Sequence, residues 1–149
     1  FSAGGHLASL WGTAALGAPK YGLPLPKGLL LGYPLISLTH IPEPLNSYFR
    51  KGLFGASFES ETADLYNAAG QMTQAYPPFY LVRAADDTTV SPQDGEDMET
   101  AARRCKVPHK METASAGGHG FGPGTGTPLE GWLKRGMAFL DTTEDTAAK

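Results

Sequence analysis

Three places in the chain combine a reactive side chain with the small residues a site needs around it. Ser2 stands in Ser2-Ala3-Gly4-Gly5, directly ahead of a helical pattern. A serine on a tight turn at a helix start exposes its hydroxyl beside backbone N–H groups, which can stabilise charge developing on an oxygen. Ala3 offers such an N–H, and Gly4 is expected to let the helix pack close to the turn; a serine that merely caps a helix fits the same residues. Asp86-Asp87 follows an apolar run, where an acidic pair can orient a histidine or simply form a turn. His119 lies between Gly118 and Gly120 in the glycine-rich stretch 117–126, placed to act as a general base or to sit in solvent.

Each candidate has an ordinary structural explanation alone, but the three occur in the chain order Ser, Asp, His. A serine that attacks an acyl carbon needs a base to take its proton, and that base needs an acid to hold its tautomer. The order is that of enzymes whose nucleophile sits on a strand-to-helix elbow.

The elements that must position these residues alternate. Leu7, Leu10 and Trp11 recur at helical spacing within 5–16. The stretch 29–36 is continuously apolar between breakers, which suits a strand buried on both faces of a parallel sheet. Residues 37–78 show no clear period and are dotted with Tyr48, Phe49, Phe54, Phe58 and Tyr66. So long a segment is expected to be a lid-like insertion, a set of short packing helices, or both. A second buried strand is expected over 79–82, and then a helix opening at Ser91-Pro92 with Met98, Ala101 and Ala102 on its apolar side. A less hydrophobic third strand over 109–114 leads into the glycine loop. A last helix over 128–140 precedes a polar, frayed tail over 141–149. Helix, strand, insertion, strand, helix, strand, helix predicts an α/β fold with parallel strands flanked by helices.

Phe1-Ser2-Ala3-Gly4-Gly5-His6-Leu7-Ala8 resembles the nucleophile elbow of α/β-hydrolase esterases, Gly-x-Ser-x-Gly, with the leading glycine just upstream. Tyr33-Pro34-Leu35-Ile36-Ser37, Pro77-Pro78-Phe79-Tyr80-Leu81-Val82, Asp86-Asp87-Thr88-Thr89-Val90 and Gly118-His119-Gly120-Phe121-Gly122 resemble successive landmarks of the same family. The branch they resemble most is the small bacterial esterases related to acetyl-xylan and feruloyl esterases.

The resemblance implies Ser2 as nucleophile, His119 as general base and Ala3 as one oxyanion donor. Asp87 is the implied acid, because Asp87 with Val90 fits the family's Asp-x-x-Val, whereas Asp86 is one residue out of register. It further implies a single partial domain over 1–149, the C-terminal part of an α/β-hydrolase fold, whose N-terminal strands and second oxyanion loop lie outside these residues. The three strands would then lie side by side, with an unpaired edge on the first. Alone, the chain is expected to be poorly stable and inactive, with a complementary N-terminal segment as its partner.

The implied reaction is hydrolysis of short acyl, acetyl-like esters, on small molecules or carbohydrate. A serine peptidase of the prolyl-oligopeptidase type is the alternative enzyme, although such elbows usually carry Tyr where this chain has Ala3. A non-catalytic truncated fragment is the alternative outside enzymes.

Composition narrows the remaining classes. Twelve basic against fifteen acidic residues, a net charge of −3, leave no electrostatic footprint for nucleic acid or an anionic membrane surface. One cysteine, Cys105, excludes an internal disulfide and a multi-cysteine zinc site. No metal-ligand spacing occurs, so neither metal nor cofactor is expected. His6 is expected to pack or hydrogen-bond beneath the elbow, and His40 and His109 to lie in turns or at the surface. Arg83 is expected to pair with a nearby carboxylate, and Cys105 to be partly buried. A cytoplasmic location is the default expectation.

Overall fold

The computed structural model describes residues 1–55 and 60–147. Helix α1 (Ser2–Trp11) leads to strand β1 (Leu29–Gly32); helices α2 (Leu45–Phe54) and α3 (Ser60–Leu65) follow. Then come β2 (Phe79–Ala84), α4 (Pro92–Cys105), β3 (His109–Ala114) and α5 (Trp132–Ala147). The strands form one parallel sheet in the order β1-β2-β3. Leu29 stands opposite Phe79, and Phe79 opposite His109. Among the described residues β1 pairs with β2 alone, so its outer edge is free.

The sheet is covered on both sides, which is why β1 and the first four residues of β2 read as unbroken apolar runs; β2 runs two residues further than expected, through Arg83 to Ala84. Leu29, Leu31, Phe79 and Leu81 pack into the core shared with α1 and α4. Tyr80 and Val82 point the other way, against Trp132 and Leu129. Strand β3 carries the weaker apolar pattern because it is only partly buried. Helix α4 opens as expected: the Ser91 hydroxyl accepts from Gln93 N–H, with Pro92 in the first turn and Met98, Ala101 and Ala102 buried.

Several boundaries differ from the sequence expectation, each for a local reason. Helix α1 starts at Ser2 and stops at Trp11, where Gly12 caps it. Strand β1 ends at Gly32, not residue 36: Tyr33 turns the backbone to φ 38° and Pro34 has no N–H for the ladder. The last helix starts later, because Gly131 adopts φ 78° just before Trp132. It also runs on through Ala147 where a frayed tail was expected. There each added residue gains a backbone bond on an already packed helix, and the hydroxyls of Thr142 and Thr143 bond back to the carbonyls of Phe139 and Leu140. Phe58, one of the aromatics of residues 37–78, lies outside the described residues. Among the described residues no helix is long and apolar enough to cross a membrane.

Candidate active site

Ser2, Asp87 and His119 reach the site from three different elements. Ser2 opens α1 and holds φ 48°, a left-handed conformation rare for a residue with a Cβ. Such strain costs about 1–3 kcal/mol and persists where the surroundings enforce it. Here the Gly5 N–H bonds to the Phe1 carbonyl at 2.9 Å, and the Leu35 N–H to the Ser2 carbonyl at 3.3 Å. The close helix contact belongs to Gly5 rather than Gly4. A Cβ on Gly5 would lie 2.7 Å from the Pro34 Cβ, whereas one on Gly4 would meet nothing within 4 Å.

The three side chains form one hydrogen-bonded line. Ser2 Oγ lies 2.9 Å from His119 Nε2, and His119 Nδ1 lies 2.8 Å from Asp87 Oδ2. An ionised carboxylate only accepts, so the Nδ1 that faces it carries the proton, and the Nε2 lone pair is left to accept from the Ser2 hydroxyl. The Asp87 side chain is 5% exposed and that of His119 22%. Asp87 is itself fixed, because its Oδ1 accepts from the N–H groups of Thr89 and Val90 at 2.8 and 3.0 Å.

Asp86 holds the backbone ahead of the imidazole. Its carboxylate accepts from Gly118 N–H at 2.8 Å and Gly117 N–H at 3.3 Å. The Gly118 amide, followed by that of Gly117, holds the Asp86 carboxyl below the usual carboxylate range. Gly118, Gly120 and Gly122 have φ of 61°, 86° and 54°, so the loop needs residues free of a Cβ and then needs anchors. The carboxylate of Asp86 is one anchor. The indole N–H of the buried Trp132, which bonds to the Gly122 carbonyl at 2.9 Å, is another.

Beside Ser2 opens an apolar cavity of about 360 Å³. Leu45, Phe49 and Leu53, spaced four apart along α2, form one wall; Leu7 and Leu10 of α1 and Tyr66 form others. Ala3 lines it beside Ser2. The Ala3 N–H precedes the first intrahelical bond of α1, so it belongs to the donors a helix start leaves unpaired.

The remaining candidates have structural partners. His6 is buried, with its Nε2 2.8 Å from the Tyr66 carbonyl, and burial pushes its pKa down. His109 lies 2.8 Å through Nδ1 from the Val107 carbonyl and stacks on Phe79. Arg83 reaches Glu96 at 3.4 Å. Cys105 is partly buried, its Sγ 3.2 Å from the Met72 carbonyl. Among the described residues no group of three or more His, Cys, Asp and Glu could hold a metal ion.

Two residues escaped the sequence reading. Asp94, in the first turn of α4, resembles an ordinary acidic helix start, yet it is 1% exposed. Its Oδ1 accepts from Ile36 N–H at 2.9 Å and Ser37 N–H at 2.8 Å, and lies 3.2 Å from His40 Nδ1. Burial nevertheless raises its pKa. His40 is therefore tied to α4 from its turn. Tyr33 was visible inside the apolar run 29–36 and in the family landmark Tyr33–Ser37, with no role attached; its contacts with the histidine loop depend on a backbone turn that no spacing reveals.

Solved structures share this arrangement of strands and helices. The chain is similar to an acetyl ester-xyloside bifunctional hydrolase from Caldicellulosiruptor lactoaceticus, with 24% identity and a TM-score of 0.75 over 99% of this chain and 55% of that one. This is the α/β-hydrolase fold. Two further structures with this α/β-hydrolase arrangement are a carboxylesterase from Lactobacillus plantarum and an esterase B from Lactobacillus rhamnosis. The first has 28% identity and a TM-score of 0.64, over 81% of this chain and 44% of that one. The second has 22% identity and a TM-score of 0.70, over 99% of this chain and 54% of that one. The chain thus spans about half the length of the solved α/β hydrolases it matches. No family model matches it, and no curated protein matches it significantly.

Proposed function

We propose that these residues form the catalytic part of a serine hydrolase that cleaves carboxylic esters through an acyl-enzyme. The observation that carries the reading is the Ser2–His119–Asp87 line, whose Ser2 lines an apolar cavity. Ser2 Oγ attacks the ester carbonyl carbon while its proton passes to His119 Nε2. The carbonyl oxygen becomes an oxyanion facing the Ala3 N–H. Collapse of that intermediate breaks the bond to the alcohol oxygen, which takes the proton back from His119 Nε2. A water then gives a proton to His119 and attacks the acyl carbon. The acid leaves and Ser2 recovers its proton. Asp87 holds the imidazole and stabilises its cationic form without being protonated.

Short acyl esters, with acetyl groups on small molecules or carbohydrate foremost, are the proposed substrates. In support, the esterase structures above include one that is named as acting on acetyl esters and xylosides. The proposed partner is a complementary N-terminal segment of the same hydrolase. It would add a strand along the free edge of β1 and bring a second oxyanion donor.

The test is turnover of p-nitrophenyl acetate by the folded chain, with and without that segment. Loss of one oxyanion donor costs about 10²–10³-fold in rate, so the chain alone should turn over that much more slowly than the pair, with Ser2 still open to a fluorophosphonate. Ser2-dependent turnover by the chain alone, unchanged by the segment, contradicts the partner. A pair that folds and stays inert contradicts the esterase reading.

A further inference from the structure

We propose that Tyr33 is the positioning residue that holds His119 between Ser2 and Asp87. The inference rests on the reading of those three residues as a catalytic line. Tyr33 occupies a conformation its sequence does not favour. A residue before proline is pushed toward extended backbone, yet Tyr33 precedes Pro34 with φ 38°. The turn is enforced on the sheet side, where the Tyr33 N–H bonds to the Val82 carbonyl at 2.7 Å. It is enforced on the elbow side by Gly5 packed against Pro34, and by the Leu35 N–H on the Ser2 carbonyl.

The consequence is a buried ring thrown from the end of β1 into the histidine loop. Its centroid lies 4.9 Å from that of His119 at 65°, and 4.5 Å from that of Phe121 at 73°, both edge-to-face geometries. The ring also stacks on Phe1, the residue before the nucleophile, at 5.7 Å. The Tyr33 hydroxyl accepts from the Gly122 N–H at 3.1 Å. One side chain therefore touches the imidazole, the loop behind it and the neighbour of Ser2. Asp86 pins the loop only before His119, at Gly117 and Gly118; Tyr33 pins it at and after His119. The ring limits the tilt of the imidazole, and the hydroxyl fixes the Gly122 peptide whose carbonyl Trp132 already holds.

Tyr33→Phe and Tyr33→Leu in the full chain separate these parts. Three quantities are followed: the low-field Nδ1–H proton resonance of His119, exchange of the Gly122 amide, and the rate of Ser2 labelling by a fluorophosphonate. Tyr33→Phe should keep the resonance and speed Gly122 exchange about fivefold, the worth of one hydrogen bond. Tyr33→Leu should lower the thermal midpoint, and at a temperature where it is fully folded it should lose the resonance and label about 10²-fold more slowly. A Tyr33→Leu protein that keeps both overturns the proposal, and so does Tyr33→Phe with unchanged Gly122 exchange. Should Tyr33→Leu fail to fold, the Phe variant decides alone. A wild-type chain that shows the resonance but never labels contradicts the catalytic reading, while the loss of that resonance in Tyr33→Leu still reports the positioning.

Discussion

Asp86 and Asp87 are adjacent in the chain and hold adjacent residues of one loop in different ways. Asp87 accepts from the His119 imidazole at 2.8 Å, while Asp86 accepts from the amides of Gly117 and Gly118 just ahead of that histidine. The turn after β2 sends the two carboxylates apart, so one meets a side chain and the other meets backbone.

Their replacements should differ accordingly. Asp87→Asn keeps the shape but offers an N–H or a weaker acceptor to Nδ1, which favours the wrong tautomer. The rate of fluorophosphonate labelling at Ser2 should fall about 10³–10⁴-fold. Asp86→Asn leaves His119 its partner and should cost less than about tenfold, the scale of one hydrogen bond. Equal losses in the two variants, followed by mass spectrometry, would contradict the assignment.

The loop should also respond to acid through Asp86. Its pKa is lowered in the folded state by the Gly118 and Gly117 amides. A lowered carboxylate contributes stability above its ordinary value, about 3.9, and loses it as pH falls through the folded value. The Gly118 amide proton shift should therefore hold steady at neutral pH and move only below the ordinary carboxylate range. In Asp86→Asn that acid-dependent step should vanish.

Gly5 and Gly4 provide a steric contrast within the elbow. A Cβ at position 5 would press into Pro34, and Gly5→Ala should lower stability by about 1–3 kcal/mol, as overpacking does. Gly4→Ala meets open space and should fall within about 0.5 kcal/mol of the parent, as exposed substitutions do. Urea denaturation of the two variants measures the difference, and a Gly4→Ala loss as large as that of Gly5→Ala would contradict the packing.

Asp94 binds α4 to the turn after β1. Asp94→Ala strips the partner from the buried amides of Ile36 and Ser37, each unpaired amide costing about 1–3 kcal/mol. A loss of about 2–4 kcal/mol in urea denaturation is expected, with a smaller loss in Asp94→Asn, which keeps one acceptor. Equal stability of Asp94→Ala and the parent would show that the contact contributes nothing.

The fold was legible where burial writes a pattern. Leu29–Gly32 and Phe79–Val82 are apolar on both faces because helices cover both sides of the sheet, and their order with the helices set the parallel topology. That Ser2 and His119 meet with an acid was suggested by the chain order Ser, Asp, His, and Asp87 rather than Asp86 by the family resemblance; the hydrogen bonds of the three agree with that expectation. What spacing could not show is backbone direction. The turn at Tyr33 ended β1 early, and the same turn carried an aromatic ring to the imidazole. Asp94 was hidden because a buried acid in a first helical turn has the same sequence signature as a solvated one. The placement of Gly5 against Pro34 likewise depends on two segments meeting in space.

The most direct test of the account is fluorophosphonate labelling of the folded 149-residue chain, with the modified residue located by peptide mass spectrometry. The account predicts one adduct per chain, on Ser2, absent in Ser2→Ala and slowed about 10³-fold or more in His119→Ala. A folded chain that stays unlabelled, labels at another residue, or labels Ser2 at the same rate without His119 would contradict it.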